Sequence, residues 1–196
     1  MCANRPILIA LGANLPSRWG PPEATLGEAL SQLDARGVKL RARSRWWRTP
    51  AFPVGSGPDF VNAAADVACD MSPEQLLAQL HAVEADMGRA RPERWAPRVV
   101  DLDLIAYGDL IEPDVDTAKR WLDLTTSEAM KRAPDQIILP HPRLHERGFV
   151  LAPLADVAPD WRHPFLGVTV RELFEALPVE AMEGIAAIEE AAVSRT

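Results

Sequence analysis

Two aspartates sit inside an apolar run. In RWAPRVVDLDLI, Asp101 and Asp103 alternate with Val100, Leu102 and Leu104. Arg89, Arg91, Arg94 and Arg98 crowd the segment just before them, together with Trp95. Successive strand side chains point to opposite faces, so the two carboxylates share a face, roughly 6.5–7 Å apart at the backbone. A carboxylate at a half-buried position is costly unless something compensates its charge. Magnesium suits this arrangement, because it takes one or two carboxylates and completes its shell with water and substrate phosphates. A pair of ions about 3.5–4 Å apart would clamp both sides of a displacement at phosphorus. The arginines add two-pronged donors for phosphate, and the tryptophan adds a flat surface. Together they point to a nucleoside triphosphate. The chain has no GxxxxGK[ST] stretch, so a Walker-type loop does not hold the phosphates. Salt bridges on a solvated strand face remain the plainer alternative for the same pattern.

Two further places carry suitable chemistry. Phe60 and Asn62 share a strand face by the same alternation; one can stack on a planar heterocycle, the other offers a donor and an acceptor. The loop start Thr49-Pro50-Ala51-Phe52 can add backbone groups to the same ring. In LPHPRLHERGF, His141 and His145 have helical metal-ligand spacing, but zinc needs more ligands and neither cysteine is near in sequence. His141 facing phosphate oxygens is the favoured reading, with Arg147 as a cation and Phe149 as an aromatic close by.

The elements that must position these residues follow from periodicity. Ile7–Leu11 reads as a buried strand closed by the turn residues Gly12 and Asn14. Glu23–Arg36 reads as a helix with Leu26, Leu30 and Leu33 on one face, stopped by Gly37. Val38–Trp47 alternates arginines with Leu40, Ala42 and Ser44, as a strand with one solvated face does. Thr49–Asp59 is a proline-rich loop, and Phe60–Cys69 is a strand. Ser72-Pro73-Glu74-Gln75 is a capped helix start, with Leu76, Leu80, Val83 and Met87 as its apolar stripe. Val99–Ala106 is the strand with the two aspartates. The stretch 109–136 is polar, with a short helix expected over Thr126–Arg132. Arg143–Ala155 and Thr169–Leu177 read as helices apart from interruptions at Gly148 and Pro153, and Ala181–Thr196 as a loose terminal helix. The order predicts an α+β fold of the ferredoxin-like βαββαβ type: an antiparallel sheet, helices packed on one face, additional C-terminal helices, and the other face free for a ligand.

Composition narrows the partners. The chain has 196 residues and a net charge of −7, which argues against an extended nucleic-acid surface. Cys2 and Cys69 are its only cysteines, too few for a disulfide framework. Ile7–Leu11 is too short to span a membrane, and the start does not read as a signal peptide. The expectation is a cytoplasmic protein that binds small molecules, and neither nucleic acid nor membrane.

The pieces ALGANL, WRTPAF, DFVNAA, VEADMGR, RWAPRVVDLDLI and LPHPRLHERGF occur in an order that resembles the hydroxymethyl-dihydropterin pyrophosphokinases of folate biosynthesis. The resemblance covers most of Ile7–Pro159. It implies transfer of a pyrophosphoryl group from ATP to the pterin hydroxymethyl group, with AMP released. ATP is then the co-substrate and magnesium, as two ions, the metal. By the same resemblance Asp101 and Asp103 bind the metal and, with Arg89 and Arg98, form the catalytic set. Glu84, Arg89, Arg91, Trp95, Arg98, His141 and Arg147 meet ATP. Thr49, Pro50, Phe52, Phe60, Asn62, Trp95 and Phe149 line the pterin pocket.

Departures from the family pattern are few. Phe52 replaces an aliphatic residue and Phe60 a tyrosine. His81 stands where some relatives have glutamine. The segment between Arg91 and Trp95 is one residue short, and Ile111–Ile138 is longer than usual. The expected organisation is a pyrophosphokinase domain over 1–178, with an insertion at about 111–138, and a tail over 179–196. A monomer is expected, with a homodimer as the alternative. Two rival readings take the aspartates as the metal site of a nucleotide-sugar transferase, or the whole chain as a ligand-binding regulatory domain.

Overall fold

The computed structural model describes residues 5–51, 57–88, 99–125, 127–128, 132 and 134–189. Phe52, Arg89, Arg91, Arg94, Trp95 and Arg98 lie outside the described residues, as does most of the helix expected over Thr126–Arg132.

The chain runs β1 (Ile7–Ala13), α1 (Pro22–Ala35), β2 (Lys39–Arg43), β3 (Trp47–Thr49), β4 (Phe60–Ala68), α2 (Pro73–Asp86) and β5 (Asp101–Tyr107). After these come α3 (Val115–Leu122), α4 (Gly148–Val157), α5 (Val170–Glu175) and β6 (Ala186–Ala187). The sheet order is β5-β1-β4-β3-β6, with β2 also on β4. Every pairing is antiparallel. β5, β1 and β4 thus lie side by side, β1 between the other two, as the βαββαβ order requires.

Side-chain alternation sorts β1 between two layers. Ile7, Ile9 and Leu11 join Leu26, Ala29 and Leu33 of α1 and Leu76, Leu80 and Val83 of α2 in one core. Leu8 joins Ala64, Ile105 and the α4 residues Val150, Leu151 and Leu154 in a second core on the opposite face. That face is therefore only half free, because α4 lies over it. With a mean hydropathy far above that of α1 or α2, the helix has apolar residues on most sides, and only burial under a sheet and α5 satisfies it.

Several expected boundaries move. Gly12 lies inside β1 rather than in a turn. The 38–47 stretch divides: β2 is exposed along most of its length, including Leu40, and β3 begins after a buried Ser44. The Ser44 hydroxyl donates to the Arg45 carbonyl at 2.7 Å and accepts from the Ala64 N–H at 3.0 Å, which fixes the break. Val115–Leu122 is a helix capped by Asp114, within the polar stretch 109–136 and ahead of the position where a helix is expected. The expected terminal helix does not form over 181–189: a 3-10 turn, Val179–Met182, leads instead into β6. Gly184 stands between them with φ +73, a conformation that stops a helix. Ser72 caps α2 as expected, with Gln75 closing the capping box.

Candidate active site

The strand register builds the site. Asn62 of β4 pairs with Gly12 of β1, and Gly12 pairs with Asp101 of β5. One step along, Ala64, Ala10 and Asp103 form a parallel row. On the other flank Thr49 pairs with Phe60, and Trp47 with Asn62. Residues directly opposite in antiparallel pairs share a face. The two acids and the buried amide therefore stand on one sheet face, with only Ala10 and Gly12 between them. Two strand spacings separate Asn62 from Asp101, about 9.5 Å.

Gly12 is small for a definite reason. A Cβ there would lie 2.8 Å from Asn62 Oδ1. Asn62 is itself buried, and its Nδ2 donates to Thr49 Oγ1 at 2.7 Å. The amide is thus oriented by β3 on one side and by a bare backbone on the other. At the end of β1, Asn14 Nδ2 donates to the Pro58 carbonyl at 3.2 Å and ties down the approach to β4.

The segment after residue 138 brings the cations to the acids. The Glu112 N–H donates to the Leu139 carbonyl at 3.0 Å, and the Leu139 N–H returns the bond at 3.1 Å. This reciprocal pair closes the long excursion that carries α3. The His141 N–H then donates to the Ile105 carbonyl at 2.8 Å, holding the histidine beside β5. The Arg143 N–H donates to His141 Nδ1 at 3.2 Å. Nδ1 is thereby the acceptor, so the neutral ring carries its proton on Nε2. Burial, reinforced by the charges of Arg147 and Arg143 and opposed by Asp101, pushes the His141 pKa down to about 3. Burial also lowers the Arg147 pKa, against the attraction of Asp103 and Asp101. Arg147 lies over the Phe149 ring, 5.6 Å from its centre.

The structure therefore gathers Asp101, Asp103, His141 and Arg147 in one place, and Thr49, Phe60 and Asn62 in another on the same face. Arg143 joins the first group and was absent from the sequence expectation. Its signal is helical spacing, since Arg143 and Arg147 stand four apart across the 3-10 turn Leu144–Glu146. Glu84 stands elsewhere. It is buried on α2, and its Oε1 accepts the Leu102 N–H at 2.8 Å, so it grips the strand between the two aspartates from the opposite face. Arg41 reaches Asp66 at 3.7 Å, and Arg45 reaches Asp156 at 2.7 Å, so these arginines belong to the surface and to packing.

Asp101 and Asp103 are both partly buried and supply only oxygen donors, which fits a hard cation. Among the described residues no helix is long and apolar enough to cross a membrane.

Several known proteins are similar to this chain. A protein from Synechocystis named 2-amino-4-hydroxy-6-hydroxymethyldihydropteridine pyrophosphokinase is 34% identical over 180 residues, covering 91% of this chain and 80% of that protein. One of the same name from Methylorubrum extorquens is 33% identical over 178 residues, covering 90% and 96%. In fold the chain resembles the crystal structure of wild-type Plasmodium falciparum HPPK-DHPS, with a TM-score of 0.66 at 14% identity. That match covers 95% of this chain and 48% of the other, so the chain spans about half of that longer protein. The sequence profile of the 7,8-dihydro-6-hydroxymethylpterin-pyrophosphokinase (HPPK) family matches residues 8–159, and the chain belongs to that family.

Proposed function

We propose that the protein transfers the pyrophosphoryl group of ATP to the hydroxymethyl group of 6-hydroxymethyl-7,8-dihydropterin, giving the pterin diphosphate and AMP in tetrahydrofolate synthesis. One observation carries this reading: the row Asn62–Gly12–Asp101 sets a buried amide and an acid pair on one sheet face with a bare floor between them. A flat ring recognised at the amide end has its substituent directed toward the acids.

Asn62 and Thr49 hydrogen-bond the edge of the pterin, and Phe60 and Phe149 pack against it. Pro50 and Phe52 complete that pocket. Asp101 and Asp103 would hold magnesium, which would supply Lewis-acid chemistry, favouring ionisation of the hydroxyl and screening phosphate charge. The pterin oxygen forms its bond to the β-phosphorus, the bond from that phosphorus to the AMP oxygen breaks, and the hydroxyl proton passes to solvent. Arg147, Arg143 and the Nε2–H of His141 meet the phosphate oxygens. Arg89, Arg91, Arg98 and Trp95 act on the nucleotide side, and Glu84 acts through the β5 backbone. Positioning and neutralisation carry most of the catalysis, as in phosphoryl transfer generally. The enzyme works as a cytoplasmic monomer.

The test is incubation with ATP, magnesium and the reduced pterin, followed by separation of products. AMP and pterin diphosphate in equal amounts are expected. ADP, free phosphate or no turnover would overturn the assignment.

A further inference from the structure

The chain does not end its work at α5. After Pro178 it turns through Val179–Met182 and returns to the sheet. Three points clamp this return. At Gly148 a Cβ would lie 2.2 Å from the Ala181 carbonyl oxygen and 3.0 Å from Met182 Sδ. At Gly184, where φ is +73, a Cβ would lie 2.5 Å from Pro50 Cγ. At the sheet edge Ala186 and Ala187 pair with Arg48 and Trp47, and the Ile188 N–H donates to the Trp46 carbonyl at 2.7 Å.

Each clamp falls beside a group assigned to the pterin. Gly148 lies between Arg147 and Phe149, and Pro50 follows Thr49. The strap leans on the β3 edge of the sheet, while Asp101 and Asp103 stand on β5 at the opposite edge. Contacts this close leave no room for adjustment: a methyl group at Gly184 must displace either the strap or the rigid ring of Pro50.

We propose that residues 179–188 are a fixed outer wall of the pterin half of the site, a positioning element that sets where Pro50 and Phe149 stand and so governs pterin affinity without governing ATP affinity. The inference rests on the proposed function for its assignment of the pterin pocket.

The experiment uses the full chain with Gly184→Ala, and separately with Ile188→Pro, which removes the donor to Trp46. Gly167→Ala is the control, since Gly167 also has a positive φ, +67, but nothing lies within 4 Å of its Cβ position. Pterin affinity is read by direct titration of the protein's fluorescence and by KM, and ATP affinity by titration with a non-hydrolysable analogue. Both strap variants should weaken pterin binding about five- to tenfold, roughly 1–1.4 kcal/mol. ATP-analogue binding should stay within about twofold, and the control should leave both unchanged. Unchanged pterin affinity in the strap variants, or equal losses for both ligands, would overturn the wall. If the unaltered protein bound pterin but released no AMP, the reaction would fall while the titrations still read the strap. Should Gly184→Ala fail to fold, Ile188→Pro alone decides.

Discussion

At the scale of single residues, the site turns on what is small as much as on what is charged. Gly12 gives the Asn62 amide its place, and the hydrogen bond to Thr49 holds it there. Gly12→Ala should push Asn62 off Thr49, raise the KM for pterin about tenfold, and cost about 1–3 kcal/mol of stability as overpacking does. Steady-state kinetics and urea unfolding check both parts; a normal KM would remove Asn62 from pterin recognition. Asp101→Ala should lower turnover by at least about 10²–10³, the loss typical of removing a principal electrostatic group. Circular dichroism should show the fold intact, because Asp101 stands at the start of β5 and outside both apolar cores. Near-normal AMP release by that variant would remove the metal assignment.

At the scale of elements, β5 must hold two acids in register with no strand paired on its outer side among the described residues. Glu84 of α2 supplies the missing partner by accepting the Leu102 N–H. Glu84→Ala should therefore cost about 1–3 kcal/mol, the penalty of a buried donor left without an acceptor. Glu84→Gln keeps an acceptor oxygen and should cost less. The pair of urea midpoints separates the hydrogen bond from the charge; equal losses would mean that the carboxylate acts chiefly through its charge. A second link joins α4 to the start of β3. Asp156 accepts from the Arg45 N–H at 3.2 Å, from its Nε at 3.1 Å and Nη2 at 2.7 Å, and from Trp47 Nε1 at 3.0 Å. Burial works to raise its pKa, but these donors outweigh burial and hold it below the ordinary carboxylate range.

At the scale of the whole molecule, Trp161 ties the C-terminal layer to the end of β5, its Nε1 donating to the Gly108 carbonyl at 2.9 Å, and beside it is buried a histidine that does no chemistry in the proposed reaction. His163 is buried, its Nδ1 accepts from the Phe165 N–H at 3.2 Å and the Leu166 N–H at 3.4 Å, and it stands beside Trp161. Burial, helped by the nearby His145, pushes its pKa from 6.5 to about 4. A folded-state value below the unfolded one means the folded state disfavours the proton. The contribution is therefore whole above about pH 6.5 and is lost as pH falls toward about 4, by up to roughly 3 kcal/mol. Urea midpoints between pH 7.5 and 4.5 should fall steeply in the unaltered protein and more gently in His163→Gln. Parallel curves would mean that other groups carry the acid sensitivity.

The sequence by itself determined the strand that bears Asp101 and Asp103, the capped start of α2, and the antiparallel order, because alternation and capping are local and repeat within a few residues. It also marked Thr49, Phe60, Asn62, His141 and Arg147, whose residue types limit what they can do. Only the tertiary structure decided which of these meet. The gathering of His141 and Arg147 onto the acid pair depends on three backbone bonds, the reciprocal pair between Glu112 and Leu139 and the bond from His141 to Ile105, which close an excursion no local pattern predicts. The role of Gly12 depends on Asn62 from another strand, the covering of half the open face on α4, and the strap on close contacts at Gly148 and Gly184. Such contacts join residues far apart in the chain, and no local period records them.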